Sequence, residues 1–176
     1  MVSTVKFYSL TYRQVKTYLI ATILIIGNIL LPLLCHSIPQ GGLIFLPIYF
    51  FTLFGAYKYG LKPGLLIACL SPVLNHLLTG MPPVGMLPII LVKSCLLAIA
   101  AAYAAKHFNK VSILILVGVV LFYQLTGFLF EWVYSGSFFA ATQDFRLAIP
   151  GMLIQIFGIY GIIKLKTENG KRKTES

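Results

Sequence analysis

The chain has 176 residues, of which 59% are hydrophobic and only 10% charged. Soluble domains carry about 25% charged residues, so this chain cannot coat itself for water and most of its surface must meet lipid. Fourteen Lys and Arg against four acids give a formal net charge of +10; the basic residues flank apolar runs, which excludes a nucleic-acid partner and points to membrane topology.

The first 16 residues carry Lys6, Arg13 and Lys16 ahead of an apolar run. That run is too long for a signal-peptide core and no small-x-small cleavage pattern follows, so it is read as an uncleaved first span. Six segments approach the roughly 20 apolar residues that a membrane helix needs: 17–36, 42–58, 63–79, 84–105, 111–132 and 147–164. Lys58, Lys62 and Pro63 mark the turn between the second and third, and Pro82-Pro83 the turn between the third and fourth. The end, "KTENGKRKTES", is polar and predicted to be disordered. The expected organisation is a cytoplasmic segment 1–16, a six-transmembrane-helix domain 17–165 and a basic tail 166–176. The fold class is all-α, a polytopic membrane bundle.

Loop charges set the orientation. One set of connections holds Lys6, Arg13, Lys16, Lys58, Lys62, Lys106, Lys110, Lys164, Lys166, Lys171, Arg172 and Lys173, whereas the alternate set (36–42, 79–84, 132–146) holds only Arg146. The positive-inside rule places both termini in the cytoplasm of a bacterial cell membrane. Counting inward from the outer ends then puts one polar residue in every span, Asn28, Thr52, Ser71, Lys93, Gln124 and Gln155, at a depth of roughly 12–15 Å. Lipid cannot satisfy these groups, so they are expected to face the bundle interior. Asn28, Ser71 and Thr52 fit interhelical hydrogen bonding, and the glycines beside Gln124 and Gln155 fit close packing.

Lys93 is the costly one, at about 2.5–3.5 kcal/mol or more for a charge inside a span. Either it pairs with an acid, Glu131 or Asp144, or it meets an anionic group of a ligand while Glu131 holds it in the meantime. The outer connections "HSIPQGG", "TGMPPVG" and "EWVYSGSFFAATQDFR" are read as a loop lid. Trp132 would cover a ligand by stacking, with Asp144 and Arg146 beside it and Asn75 and His76 at the rim.

Other chemistries find little support. Cys35, Cys69 and Cys95 are odd in number and lack CxxC spacing, so they are read as buried apolar residues and not as a disulfide or zinc framework. HExxH, GxSxG and paired neighbouring carboxylates are absent, and adjacent Cys35 and His36 would point about 100° apart on a helix, so no catalytic site, metal or cofactor is expected. A self-sufficient carrier would need a repeat or a dimer; this and a purely structural membrane scaffold are the alternatives to a capture protein.

The run "HSIPQGGLIFLPIYFFTLFGAYKYGLKPGLL" and the later "EWVYSGSFFAATQDFRLAIPGMLIQIFG" resemble the substrate-binding S components of energy-coupling factor (ECF) vitamin transporters, in an uncharacterised branch. The resemblance extends over nearly all of 17–165. It implies six helices with the ligand held near the outer face by the last three helices and the loops after the first, third and fifth. Those elements contain His36, Gln40, Asn75, Lys93, Gln124, Glu131, Trp132, Asp144, Arg146 and Gln155, and Asn28 joins the candidates from its depth. The resemblance also implies a small vitamin-like substrate, here with an anionic group, together with a transmembrane coupling subunit and two cytoplasmic ATPases. No GxxxxGK[ST] occurs in this chain, so ATP would be hydrolysed elsewhere. The small-xxx-small docking stripe expected on the first helix is broken, since Ile25 follows Ala21.

Overall fold

The computed structural model describes residues 3–4, 10–35 and 41–172. The chain is all-helical. Helix α1 (Val15–Cys35) is followed by a short α2 (Gly41–Phe45), α3 (Pro47–Tyr59), α4 (Leu61–Thr79), a 3-10 turn (Val84–Met86) leading into α5 (Leu87–Phe108), α6 (Ile113–Ser135), α7 (Phe138–Leu147) and α8 (Ile149–Arg172). A two-residue ribbon pairs β1 (Ser3–Thr4) antiparallel with β2 (Lys110–Val111).

Four helices are long and apolar enough to cross a membrane: α1, α4, α5 with its leading turn, and α6; α7 with α8 makes a fifth if that bent pair is one span. The expected second span, 42–58, is instead two pieces. The residue before a proline is driven away from helical backbone, and Leu46 sits in the left-handed region at φ 48° so that Pro47 can open α3. At 13 residues α3 is only about 20 Å long. It needs no lipid-facing length of its own, because residues 52–58 are buried and it packs against α1, α4, α5 and α8. Its Leu53 shares one buried core with Leu24, Ile67, Leu97 and Ile159 of the neighbouring helices. Gly151 lets α8 lie on the α2 backbone, for a Cβ there would stand 2.6 Å from the Phe45 carbonyl carbon.

The basic connections gather at one end. Tyr57 donates its hydroxyl to the Lys110 carbonyl at 2.8 Å, and the Leu10 amide donates to the Tyr59 carbonyl, which ties the 58–62 turn, the 106–110 turn and the N-terminal segment together. The opposite end carries α7. Three expectations change here. Residues 132–146 are not a loop: α6 runs on to Ser135, Gly136 ends it in the left-handed region at φ 66°, and Ser137 caps α7 by accepting from the Ala140 amide at 3.2 Å. The cysteines are not buried either; Cys69 is exposed, Cys35 and Cys95 are partly so, and Cys69 and Cys95 approach to 3.7 Å between sulfurs. Helix α8 continues to Arg172, into the segment read as a tail.

Candidate functional site

The polar residues that share a depth in the sequence divide into two groups in space. The first joins α1, α3 and α4. The Asn28 side chain, fully buried, donates to Thr52 Oγ1 and Ser71 Oγ at 3.1 Å each and accepts from the Phe51 amide at 3.2 Å. Pro32, one turn further along α1, has no N–H to give the Asn28 carbonyl. Asn75 repairs that gap, donating to the Asn28 carbonyl at 2.8 Å and to the Ser71 carbonyl at 3.1 Å. Asn75 is therefore interior and not at a rim. His76 Nδ1 lies 2.8 Å from the Pro82 carbonyl. Every polar side chain of this group has a partner, and the group holds three helices in register.

The second group joins α5, α6 and α7. Side chains on a helix lean toward its N-terminus, so Lys93 on α5 leans toward the α7 end. Its stem crosses Gly127 of α6, where a Cβ would stand 2.5 Å from Lys93 Cγ and 3.0 Å from Cε. The ammonium reaches Glu131, one turn beyond Gly127, at 2.5 Å, and Asp144 of α7 at 2.7 Å. Lys93 is only 4% exposed; the side chains of Glu131 and Asp144 are 11% and 19% exposed. The sequence contains no neighbouring carboxylate pair, but the fold makes one by turning α7 back over α6. One ammonium with two carboxylates carries a formal charge of −1, although in a low-dielectric setting such groups are stable only when paired and hydrogen-bonded.

Beside these charges lies a set of buried hydroxyls and amides. Tyr123 of α6 donates to Gln155 Oε1 of α8 at 3.0 Å, and its ring centroid is 5.5 Å from that of Tyr49 on α3. Tyr49 in turn lies within electrostatic reach of Glu131 and Asp144. Three atoms in this region are buried without a hydrogen-bond partner: Gln124 Nε2, Gln155 Nε2 and Ser94 Oγ. Native interiors leave few such groups, and each costs about 1–3 kcal/mol.

The fold thus brings Lys93, Glu131 and Asp144 into direct contact, with Gln124 one turn before Gly127 on α6 and Gln155 held by Tyr123 of the same helix. It keeps Asn28 and Asn75 in the separate cluster. Trp132 is 42% exposed and packs edge-on against Phe138, centroids 5.2 Å apart. Arg146, two residues from Asp144, is exposed and lines a recess of about 450 Å³ with Phe139, Thr142, Gln143 and Leu147, away from Lys93. His36 and Gln40 lie outside the described residues. Sequence reasoning passed over Tyr49, Tyr123 and Ser94. Tyr49 sits in the apolar run "PIYFF", and only the adjacency of Tyr123 to Gln124 and of Ser94 to Lys93 could have signalled the other two.

The class defined by these features is an all-helical protein with several helices long and apolar enough to cross a membrane and a buried, charged, incompletely satisfied site near one end. Comparison with protein-family models, curated proteins and solved structures finds no match.

Proposed function

We propose that the chain is a membrane-embedded substrate-binding subunit of the ECF type. It captures a small vitamin-like molecule at the outer side and passes it inward with a transmembrane coupling subunit and two cytoplasmic ATPases. In this reading the bundle has six helical segments, with the short buried α3 as the second, and the basic end with both termini faces the cytoplasm of a bacterial cell membrane. The chain binds and does not turn over its ligand.

The observation that carries the reading is the buried Lys93–Glu131–Asp144 cluster at the α7 end, together with the buried amide nitrogens of Gln124 and Gln155 on α6 and α8 that have no partner. Intramembrane ionisable residues mark ligand or ion pathways by default, and unpaired buried donors are what a ligand's acceptors would satisfy. Native mass spectrometry of the chain in lipid nanodiscs tests it: a retained small molecule is expected, lost in Lys93→Ala. Proteoliposomes holding this chain alone should accumulate none of that molecule.

A structural scaffold is the second reading, favoured by the double pairing of Lys93. A scaffold would retain no molecule, and Lys93→Ala would then change stability alone.

A further inference from the structure

We propose that Asp144 is a built-in stand-in for an anionic group of the ligand: a carboxylate-bearing molecule takes its place on Lys93, and α7 is thereby released. This rests on the capture reading and adds to it the ligand's chemistry and the order of events.

The two carboxylates on Lys93 are not equivalent. Glu131 belongs to the 23-residue α6, which is packed along α5, and its side chain is 11% exposed. Asp144 is 19% exposed and belongs to α7, a ten-residue helix whose only buried residue is Ala141. The other side of the contact is held, because the Lys93 stem lies along Gly127 and its ammonium stays bonded to Glu131 on the same helix. Asp144 is therefore the partner that can leave. The joint needed for this is present. Pro150 cannot donate to the Arg146 carbonyl, and α7 and α8 meet at 42°.

Charge decides between joining and exchange. A third carboxylate added to the cluster would place three anions on one ammonium with little water to screen them. Exchange keeps two anions on Lys93 and returns Asp144 to water, where its hydration is recovered. The remainder of the ligand then has neutral acceptors to offer the Gln124 and Gln155 amide nitrogens, which are buried to 1% and 0% exposure and lack partners. These unpaired donors distinguish the place from an ordinary internal ion pair.

Acetate is the probe, in thermal unfolding of purified protein, with chloride at equal ionic strength as the reference. In Asp144→Asn, and in Asp144→Ala, which cannot keep a hydrogen bond to Lys93, about 100 mM acetate should raise Tm by about 2–4 °C over chloride. Wild type and the Lys93→Met/Asp144→Ala double variant should show no difference between the two anions. An equal response to both anions in the single variants, or an acetate response that survives Lys93→Met, overturns the exchange. The co-purifying molecule gives an independent check: Asp144→Asn should retain more of it than wild type, since the internal competitor is gone. Lower retention would mean that Asp144 binds a cationic group of the ligand, and would also overturn the proposal. A retained molecule without an acetate effect leaves capture standing and removes exchange. An acetate effect with no retained molecule shows that Lys93 accepts a carboxylate in place of Asp144 but removes the capture reading, and with it exchange by a ligand.

Discussion

Replacing Lys93 by methionine keeps most of the stem against Gly127 and removes only the charge. Two carboxylates then face each other at the α7 end with no cation between them. Breaking a buried ion pair by removing one partner costs about 3–5 kcal/mol, chiefly because the remaining charge has no compensation. The two carboxylates do not share that cost equally. Asp144, 19% exposed on the lightly packed α7, can turn to water, whereas Glu131, 11% exposed on α6, cannot. The expected loss is therefore about 3–4 kcal/mol, near the lower end of that range. For a chain of this size it lowers Tm by about 6–16 °C. A second substitution locates the cost: Lys93→Met with Glu131→Gln should recover most of it, and Lys93→Met with Asp144→Asn much less. Thermal unfolding in one detergent across the four proteins is the assay. If Lys93→Met unfolds within about 2 °C of wild type, or if the two rescues are equal, the cluster is not the buried and asymmetric arrangement argued above.

Gly127→Ala places a Cβ 2.5 Å from Lys93 Cγ, so the stem must move; about 1–3 kcal/mol is lost by overpacking, and the Lys93→Met/Gly127→Ala pair, read by thermal unfolding, should lose less than the sum of the singles. Asn75→Leu leaves the Asn28 carbonyl without a donor opposite Pro32 and should cost about 1–3 kcal/mol; Pro32→Ala, which supplies the missing N–H, should return part of it in the double variant. Cys69 and Cys95, 3.7 Å apart between sulfurs, should be linked by a membrane-permeant oxidant, seen as a joined α4–α5 peptide in a non-reducing digest and absent in Cys69→Ser.

The long apolar spans were legible because hydropathy is summed over a window as long as the helix itself, and local irregularities average out. The second span failed that average for a local reason. Pro47 forces Leu46 out of helical backbone, and α3 survives as a short helix because its neighbours bury it. The 132–146 segment was misread for want of two capping signals: Gly136 after the last turn of α6 and Ser137 before the first turn of α7. For the polar residues the sequence sets position along each helix, since rise per residue is fixed. It does not set which helix each one faces, because that depends on packing. Asn28, Thr52 and Ser71 met one another, while Lys93 met Glu131 and then Asp144, whose arrival requires α7 to fold back.

The two polar groups differ in what the backbone can explain. In the α1–α3–α4 cluster each side chain has a partner, and Asn75 compensates a defect that Pro32 creates; packing alone accounts for it. On the α5–α6–α8 side packing accounts for less. Gln124 is 1% exposed and its Nε2 donates to nothing, so in the free protein the amide is a liability of about 1–3 kcal/mol. Leucine at that position would remove the unpaired donor at similar volume. Gln155 offers no such test, because its Oε1 receives the Tyr123 hydroxyl and leucine there would strand that group. Gln124→Leu should thus raise the Tm of ligand-free protein by about 2–12 °C while lowering retention of the co-purifying molecule, the trade expected of a binding residue. A Gln124→Leu protein that unfolds earlier than wild type would show that the amide is satisfied within the bundle, and would return it to the same structural role as Asn28.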